Sequence, residues 1–198
     1  MRTPGHPAQL PERLPFYLVL FAALIVVNTL AAKFAVISFG IAPGVSSLYV
    51  AVTLMIVFAL WFGMWGAIAA YVACFIGAGM AGGIPPGINI FWSLADFWQV
   101  LIPLLAFRLM GADESLTRGK DLLLLLVFGI VLNNIAGATF GSVVLAAGGI
   151  ITINETIPVL YSWFIGNAIA CLILVPVLLH GITPVLGAHN LLVRRYWQ

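Results

Sequence analysis

The chain has 198 residues, of which 63% are hydrophobic and only 7% charged, with a net charge of +2. A water-soluble domain of this length cannot bury that much apolar surface, whereas a bundle exposed to lipid need not. So small a charge, with no basic run and no phosphate-cradling glycine loop, argues against nucleic acid as a partner.

Residues 1–15 are polar and punctuated by Pro4, Pro7, Pro11 and Pro15, too poor in apolar groups to fold alone. A hydrophobic stretch then runs from Phe16 to about Phe39, interrupted late by Lys33. Ala31 and Ala32 would suit a signal-peptide cleavage site, but the stretch is too long for a signal-peptide core and reads as a membrane span. The second segment runs from about Val45 to Trp61 and the third from Gly63 to Met80, joined by the tight turn F-G-M-W-G. The fourth covers Ile88 to about Leu109, the fifth Leu122 to Ala147, and the sixth Ile157 to about Leu179. Each approaches the roughly 20 residues that cross a bilayer, the second and third being shortest. None alternates as barrel strands do, so all are read as helices. The expected fold is an all-α integral membrane protein, a bundle of six transmembrane helices at residues 16–182 between tails at 1–15 and 183–198.

Orientation follows from the basic residues. With six spans, Arg2, Arg13, Arg108, Arg118, Lys120, Arg194 and Arg195 share one side, and the other side holds only Lys33. The positive-inside rule puts both tails in the cytoplasm and the chain in the plasma membrane. The outer connections, G-I-A-P-G-V-S-S, A-G-G-I-P-P-G-I-N and G-G-I-I-T-I-N-E-T, are rich in Gly and Pro, with Glu155 as their only ionisable group.

Asp96 is the only acidic residue well inside a hydrophobic span. A carboxyl group at membrane depth costs several kcal/mol and faces a protein interior or a watery cavity. At 3.6 residues per turn, Asn89, Trp92, Ser93, Asp96 and Gln99 share one sector above Pro103, while Phe91 and Trp98 point the other way. An amide, an indole, a hydroxyl, a carboxyl and a second amide on one face can bind a small polar molecule, with Trp92 as a stacking surface. The same groups could instead hydrogen-bond only to neighbouring helices. Lys33, in the outer half of the bilayer, could pair with Asp96 or snorkel outward. Lys33 or Glu155 would stand near the mouth of such a site.

Elsewhere the polar signals are fainter. Asn28 lies on the first helix, Asn133 and Asn134 on the fifth, and Ser162 and Asn167 on the sixth. Gly137 and Gly141 form a G-x-x-x-G, and Ser162, Gly166 and Ala170 repeat its spacing; these read as packing seams. Pro103 and Pro176 are expected to kink their helices, and Tyr196 and Trp197 to anchor the end of the chain at the interface. Cys74 and Cys171 lie in apolar stretches and read as small buried hydrophobes. His6, His180 and His189 form no cluster with Asp or Glu, so no metal or other cofactor is expected. Ser93 has no histidine base in reach and no carboxylate pair or H-E-x-x-H occurs, so the chain is not expected to be an enzyme.

Several stretches together resemble the membrane-associated sensor (MASE) domain of the first type, over about residues 41–180. They are P-G-V-S-S-L-Y-V-A-V-T-L with F-G-M-W-G, then N-I-F-W-S-L-A-D-F-W-Q-V-L-I-P-L-L-A-F-R, R-G-K-D-L-L-L-L, and S-W-F-I-G-N-A-I-A-C-L-I-L-V-P-V-L-L. The resemblance implies a sensory domain, signalling here through a partner protein because no output enzyme follows. In that family an acidic residue often stands near N-I-F-W, whereas here the carboxyl is at Asp96. A second resemblance is to the substrate-binding S components of energy-coupling-factor transporters, six-helix proteins of about this size with cytoplasmic termini. Ala31 and Ala35 supply an A-x-x-x-A like the one such proteins use to dock a membrane partner. It implies uptake of a vitamin or other small polar solute. The preferred expectation is solute binding at Asn89, Trp92, Ser93, Asp96, Gln99 and Lys33, with the lipid bilayer and a transporter module or signalling enzyme as partners. A purely structural membrane protein without a ligand is the remaining alternative.

Overall fold

A computed structural model describes residues 10–37 and 48–197. Eight α-helices account for most of these: α1 (Leu10–Phe34), α2 (Ala51–Phe62), α3 (Met64–Ala73), α4 (Pro86–Trp92), α5 (Leu94–Met110), α6 (Gly119–Leu124), α7 (Asn133–Ala147) and α8 (Thr156–Ala188). Two stretches of wider π-helix interrupt them: Cys74–Met80 continues α3, and Leu125–Leu132 joins α6 to α7. Ser93 between α4 and α5 keeps helical dihedrals and donates its N–H to the Asn89 carbonyl at 2.9 Å, so Pro86–Met110 is one run.

Four helices are long and apolar enough to cross a membrane: Leu14–Phe34, Pro86–Met110, Gly119–Ala147 and Ile153–Ala188. Two apolar runs, Ala51–Phe62 and Met64–Met80, are shorter. At 1.5 Å per residue they reach about 18 and 26 Å, against a hydrocarbon core of about 30 Å. The all-α reading therefore holds, with four helices of spanning length and two short ones. Large aliphatic side chains cover the outside, among them Val19, Val26, Ile173 and Val177, while Asn28, Asn89, Asp96, Gln99, Asn133, Asn134 and Asn167 are buried. That inside-out distribution suits a lipid surround.

Several boundaries differ from the sequence expectation. The first helix begins at Leu10, inside the stretch read as a tail, and ends at Phe34. Val36–Ile37 then pairs antiparallel with Leu48–Tyr49, so α2 starts at Ala51 and not near Val45. The first outer connection, with Pro43 and Gly44, lies outside the described residues. The last helix continues through Pro176 and Pro184 to Ala188, well past Leu179, because its sequence stays apolar and α-compatible to that point.

Residues 191–197 pack back onto the bundle. The α2–α3 turn rests on Gly63, whose φ of +61° suits glycine and where a Cβ would strike the Tyr196 carbonyl. Met64 N–H donates to Tyr196 O, and Val193 N–H to Trp61 O, each at 2.8 Å. Trp197 meets Trp65 edge-on at 5.3 Å, and Tyr17 of α1 stacks parallel to Trp65 at 5.7 Å.

Arg108, near the end of α5, fastens this arrangement. Its Nη2 donates to the carbonyls of Leu60 and Val193, both at 2.7 Å, and its Nε to that of Arg195 at 3.1 Å. Nη1 pairs with the Glu114 carboxylate, which also takes Arg194 at 3.3 Å. Asp113 beside it accepts from Ser115 N–H and the Thr117 hydroxyl, both at 2.9 Å, and these bonds, the backbone one first, hold its carboxyl below the ordinary Asp range.

Removing one member of a buried, hydrogen-bonded ion pair strands the other. Arg108→Met should lower unfolding free energy by about 3 kcal/mol or more in detergent, and adding Glu114→Leu should recover part of the loss. Denaturant unfolding of the two variants and the wild type measures both terms.

Candidate functional site

The polar sector of the fourth hydrophobic segment faces inward. Asn89, Ser93 and Gln99 have no exposed surface, Asp96 is 1% exposed and Trp92 2%, whereas Phe91 is 59% and Trp98 38% exposed. Pro103 is buried below them on the same side. The helix is central: α5 packs against α2, α3 and α7, and α4 against α7 and the Cys74–Met80 π-stretch.

Asp96 is held by a residue from far upstream. The two-residue pairing of Val36 with Tyr49 fixes the strand register, and the Tyr49 hydroxyl donates to Asp96 Oδ2 at 3.2 Å. The Cys74 thiol lies beside the same carboxyl, on the first residue of the π-stretch. Asp96 Oδ1 has no hydrogen-bond partner.

The two π-stretches flank this face. Wider i→i+5 turns release carbonyls from the α-ladder and recur at functional positions. Asn89 Nδ2 donates to Phe75 O at 2.8 Å inside the first stretch, and its Oδ1 accepts from the Ser93 hydroxyl at 2.9 Å. Asn134, just past the second stretch, donates to Ile130 O at 2.8 Å and accepts from Gln99 Nε2 at 2.5 Å. Each interhelical bond of this kind contributes about 0.6–2 kcal/mol in a membrane.

Glycines make room for these side chains. A Cβ on Gly79 would collide with the Asn89 amide, one on Gly137 with the Gln99 side chain, and one on Gly141 with the Trp163 ring. The G-x-x-x-G of α7 is thus a seam that receives Gln99 and Trp163. Trp163 in turn lies 5.7 Å from Trp92.

Lys33 is not brought to this face. It is exposed at the end of α1 with Nζ 5.3 Å over the Phe34 ring, and among the described residues no ion pair joins it to Asp96. Glu155 is engaged locally, accepting from the N–H and hydroxyl of Thr152 at 2.7 and 2.8 Å in a capping box.

Sequence reasoning named the five residues of the face but not Tyr49, Cys74 or Trp163 as their neighbours. Asn134 was read as packing, and it does bridge helices, through Gln99. Several buried polar atoms remain without partners: Trp92 Nε1, Asp96 Oδ1, Gln99 Oε1, and the side-chain amides of Asn28, Asn133 and Asn167. Chemically the face offers acceptors at Asp96 Oδ1 and Gln99 Oε1, a donor at Trp92 Nε1–H, and aromatic walls.

No protein-family model, no curated protein and no solved structure matches the chain.

Gly137→Ala should cost about 1–3 kcal/mol by overpacking against Gln99. Combining it with Gln99→Ala should cost less than the sum of the single changes, which thermal unfolding of the four variants measures.

Proposed function

We propose that this chain is a plasma-membrane protein with six membrane-crossing segments and both termini in the cytoplasm, and that it binds a small polar solute inside its bundle. Asn89, Trp92, Ser93, Asp96 and Gln99 hold the solute, which enters between the Gly- and Pro-rich outer connections past Lys33 and Glu155. The reading extends to a role as substrate-binding subunit for uptake, in the manner of the S components of energy-coupling-factor transporters. A free-standing sensory domain resembling the membrane-associated sensor type would use the same binding chemistry.

One observation carries the proposal. A carboxyl group and two further polar atoms on a single inward helix face, Asp96 Oδ1, Gln99 Oε1 and Trp92 Nε1, are buried and unpartnered. Unmet hydrogen-bonding capacity at a buried polar group costs about 1–3 kcal/mol, and a bound polar solute removes that cost. The proposed topology draws support from the packing: α2 lies against α5 and α8, α3 lies against α1, and Arg108, Arg118, Lys120, Arg194 and Arg195 gather about the end of α5.

A second reading has its own support. Gly79 seats Asn89 and Gly137 seats Gln99, a close fit in which the face serves only to join helices. Thermal unfolding of detergent-purified protein against a panel of vitamins, amino acids, nucleobases and metal ions separates the two. Solute binding predicts a ligand that stabilises the wild type by about 2.7 kcal/mol at 100 times its Kd, and does not stabilise Asp96→Asn or Trp92→Ala. A flat response from folded protein, with both variants strongly destabilised, supports the structural reading.

A further inference from the structure

The charge balance around Asp96 narrows the class of solute, on the basis of the solute-binding reading above. The titratable groups facing the carboxyl are Tyr49, from the Leu48–Tyr49 strand before α2, and Cys74, from the π-stretch after α3. Neither is a cation. Among the described side chains the basic ones lie elsewhere: Lys33 is exposed on α1, Arg108 and Arg194 are fastened to Glu114, Arg118 to Asp121, Lys120 donates to the Met110 carbonyl, and Arg195 is exposed. His180 and His189 are exposed at the far end of α8. A carboxyl group in a bundle interior takes up a proton and stays neutral unless a positive charge accompanies it, so a cation is what would let Asp96 ionise.

The surroundings fit such a charge. Asp96 Oδ1 and Gln99 Oε1, three residues apart on one helix, are both free acceptors. Trp92, one turn before Asp96, lies with Trp163 in a tilted pair at 5.7 Å. Indole faces attract cations, most strongly where water is excluded. Two free acceptors, a lone carboxyl and two indole faces complement a cation, with the Trp92 Nε1–H as a free donor beside them. Because these side chains are closely packed and have almost no exposed surface, the occupant is small.

We propose that the site binds a small monovalent cation, an ammonium group or an alkali-metal ion, with Asp96 as its counter-ion, Gln99 as a further ligand and the Trp92 and Trp163 rings as its walls. Tyr49 holds the carboxyl in place from the opposite oxygen, so it competes mildly with the cation for negative charge.

The test uses the full chain in lipid nanodiscs and three probes of nearly equal size: ethanolamine, ethylene glycol and glycolate, with sodium and potassium chloride as separate arms. Thermal unfolding reads out binding. Ethanolamine or one of the alkali cations should stabilise the wild type, while ethylene glycol and glycolate should not. Asp96→Asn should weaken that binding about 30-fold or more, as expected when one partner of a buried charge pair is removed. Tyr49→Phe, which keeps the ring, should bind the cation at least as tightly as the wild type, and it tests the proposal if Asp96→Asn does not fold. Which cation acts decides between an organic ammonium and an inorganic ion.

Stabilisation by ethylene glycol or glycolate equal to that by ethanolamine overturns the cation assignment and leaves solute binding standing. So does a neutral or anionic ligand from the wider panel that stabilises the wild type when no cation does. Equal stabilisation of Asp96→Asn by ethanolamine overturns it as well. If no probe and no panel member shifts the wild type, both the cation assignment and the solute-binding reading fail.

Discussion

In hydrocarbon a polar group has no water to fall back on, so every amide and carboxyl in this bundle needs a partner in the protein or in something the protein holds. The organisation of the interior around Asp96 follows from that constraint. The Tyr49 hydroxyl, the Asn89–Ser93 pair and the Gln99–Asn134 bond all lie on or against the face that carries Asp96. The two π-stretches belong to the same arrangement, since a side-chain amide takes a carbonyl within each of them, Phe75 and Ile130. Glycines at 79, 137 and 141 admit the large side chains that the arrangement requires.

The other end of the same helix is governed by a different balance. Arg108 is buried with Glu114 and uses three backbone carbonyls to bind α2 and the 193–195 segment to the end of α5. There charge is matched by charge, and the arginine fork is filled. At Asp96 it is not. One helical run, Pro86–Met110, thus carries a neutralised ionic clamp at one end and an uncompensated carboxyl in the bundle interior toward the other. That contrast is why binding is proposed for the Asp96 region, while the Arg108 region fastens the helix ends.

The inward face of 86–110 was legible in the sequence because helical period and polarity coincide: Asn89, Trp92, Ser93, Asp96 and Gln99 recur at spacings that only an α-helix brings together. The α2–α3 turn was legible for a similar reason, with Gly63 inside F-G-M-W-G. Tyr49 was not, because its approach to Asp96 depends on pairing with Val36, a long-range contact with no local signature. The π-stretches leave no periodic trace either; they arise where packing shifts the ladder by one residue. Residues 191–197 fall in the stretch read as a tail with Tyr196 and Trp197 as an interfacial anchor, yet Val193 is buried and the contacts made there are largely to backbone carbonyls. A hint of the Arg108–Glu114 pair stood in the sequence as opposite charges on either side of Gly111, the left-handed cap of α5.

The proposed solute binding requires the face around Asp96 to open, which a static seam would not do. The two native thiols offer a direct measurement, since both are buried, Cys74 beside Asp96 and Cys171 on α8 beside Asn134. Alkylation by a small charged, membrane-impermeant thiol reagent would be followed in native lipid, site by site, by mass spectrometry. Opening toward the site predicts that Cys74 reacts at a measurable rate while Cys171 does not, and that a bound solute slows Cys74. Equal inertness of the two thiols under conditions that keep the bundle folded would contradict the claim.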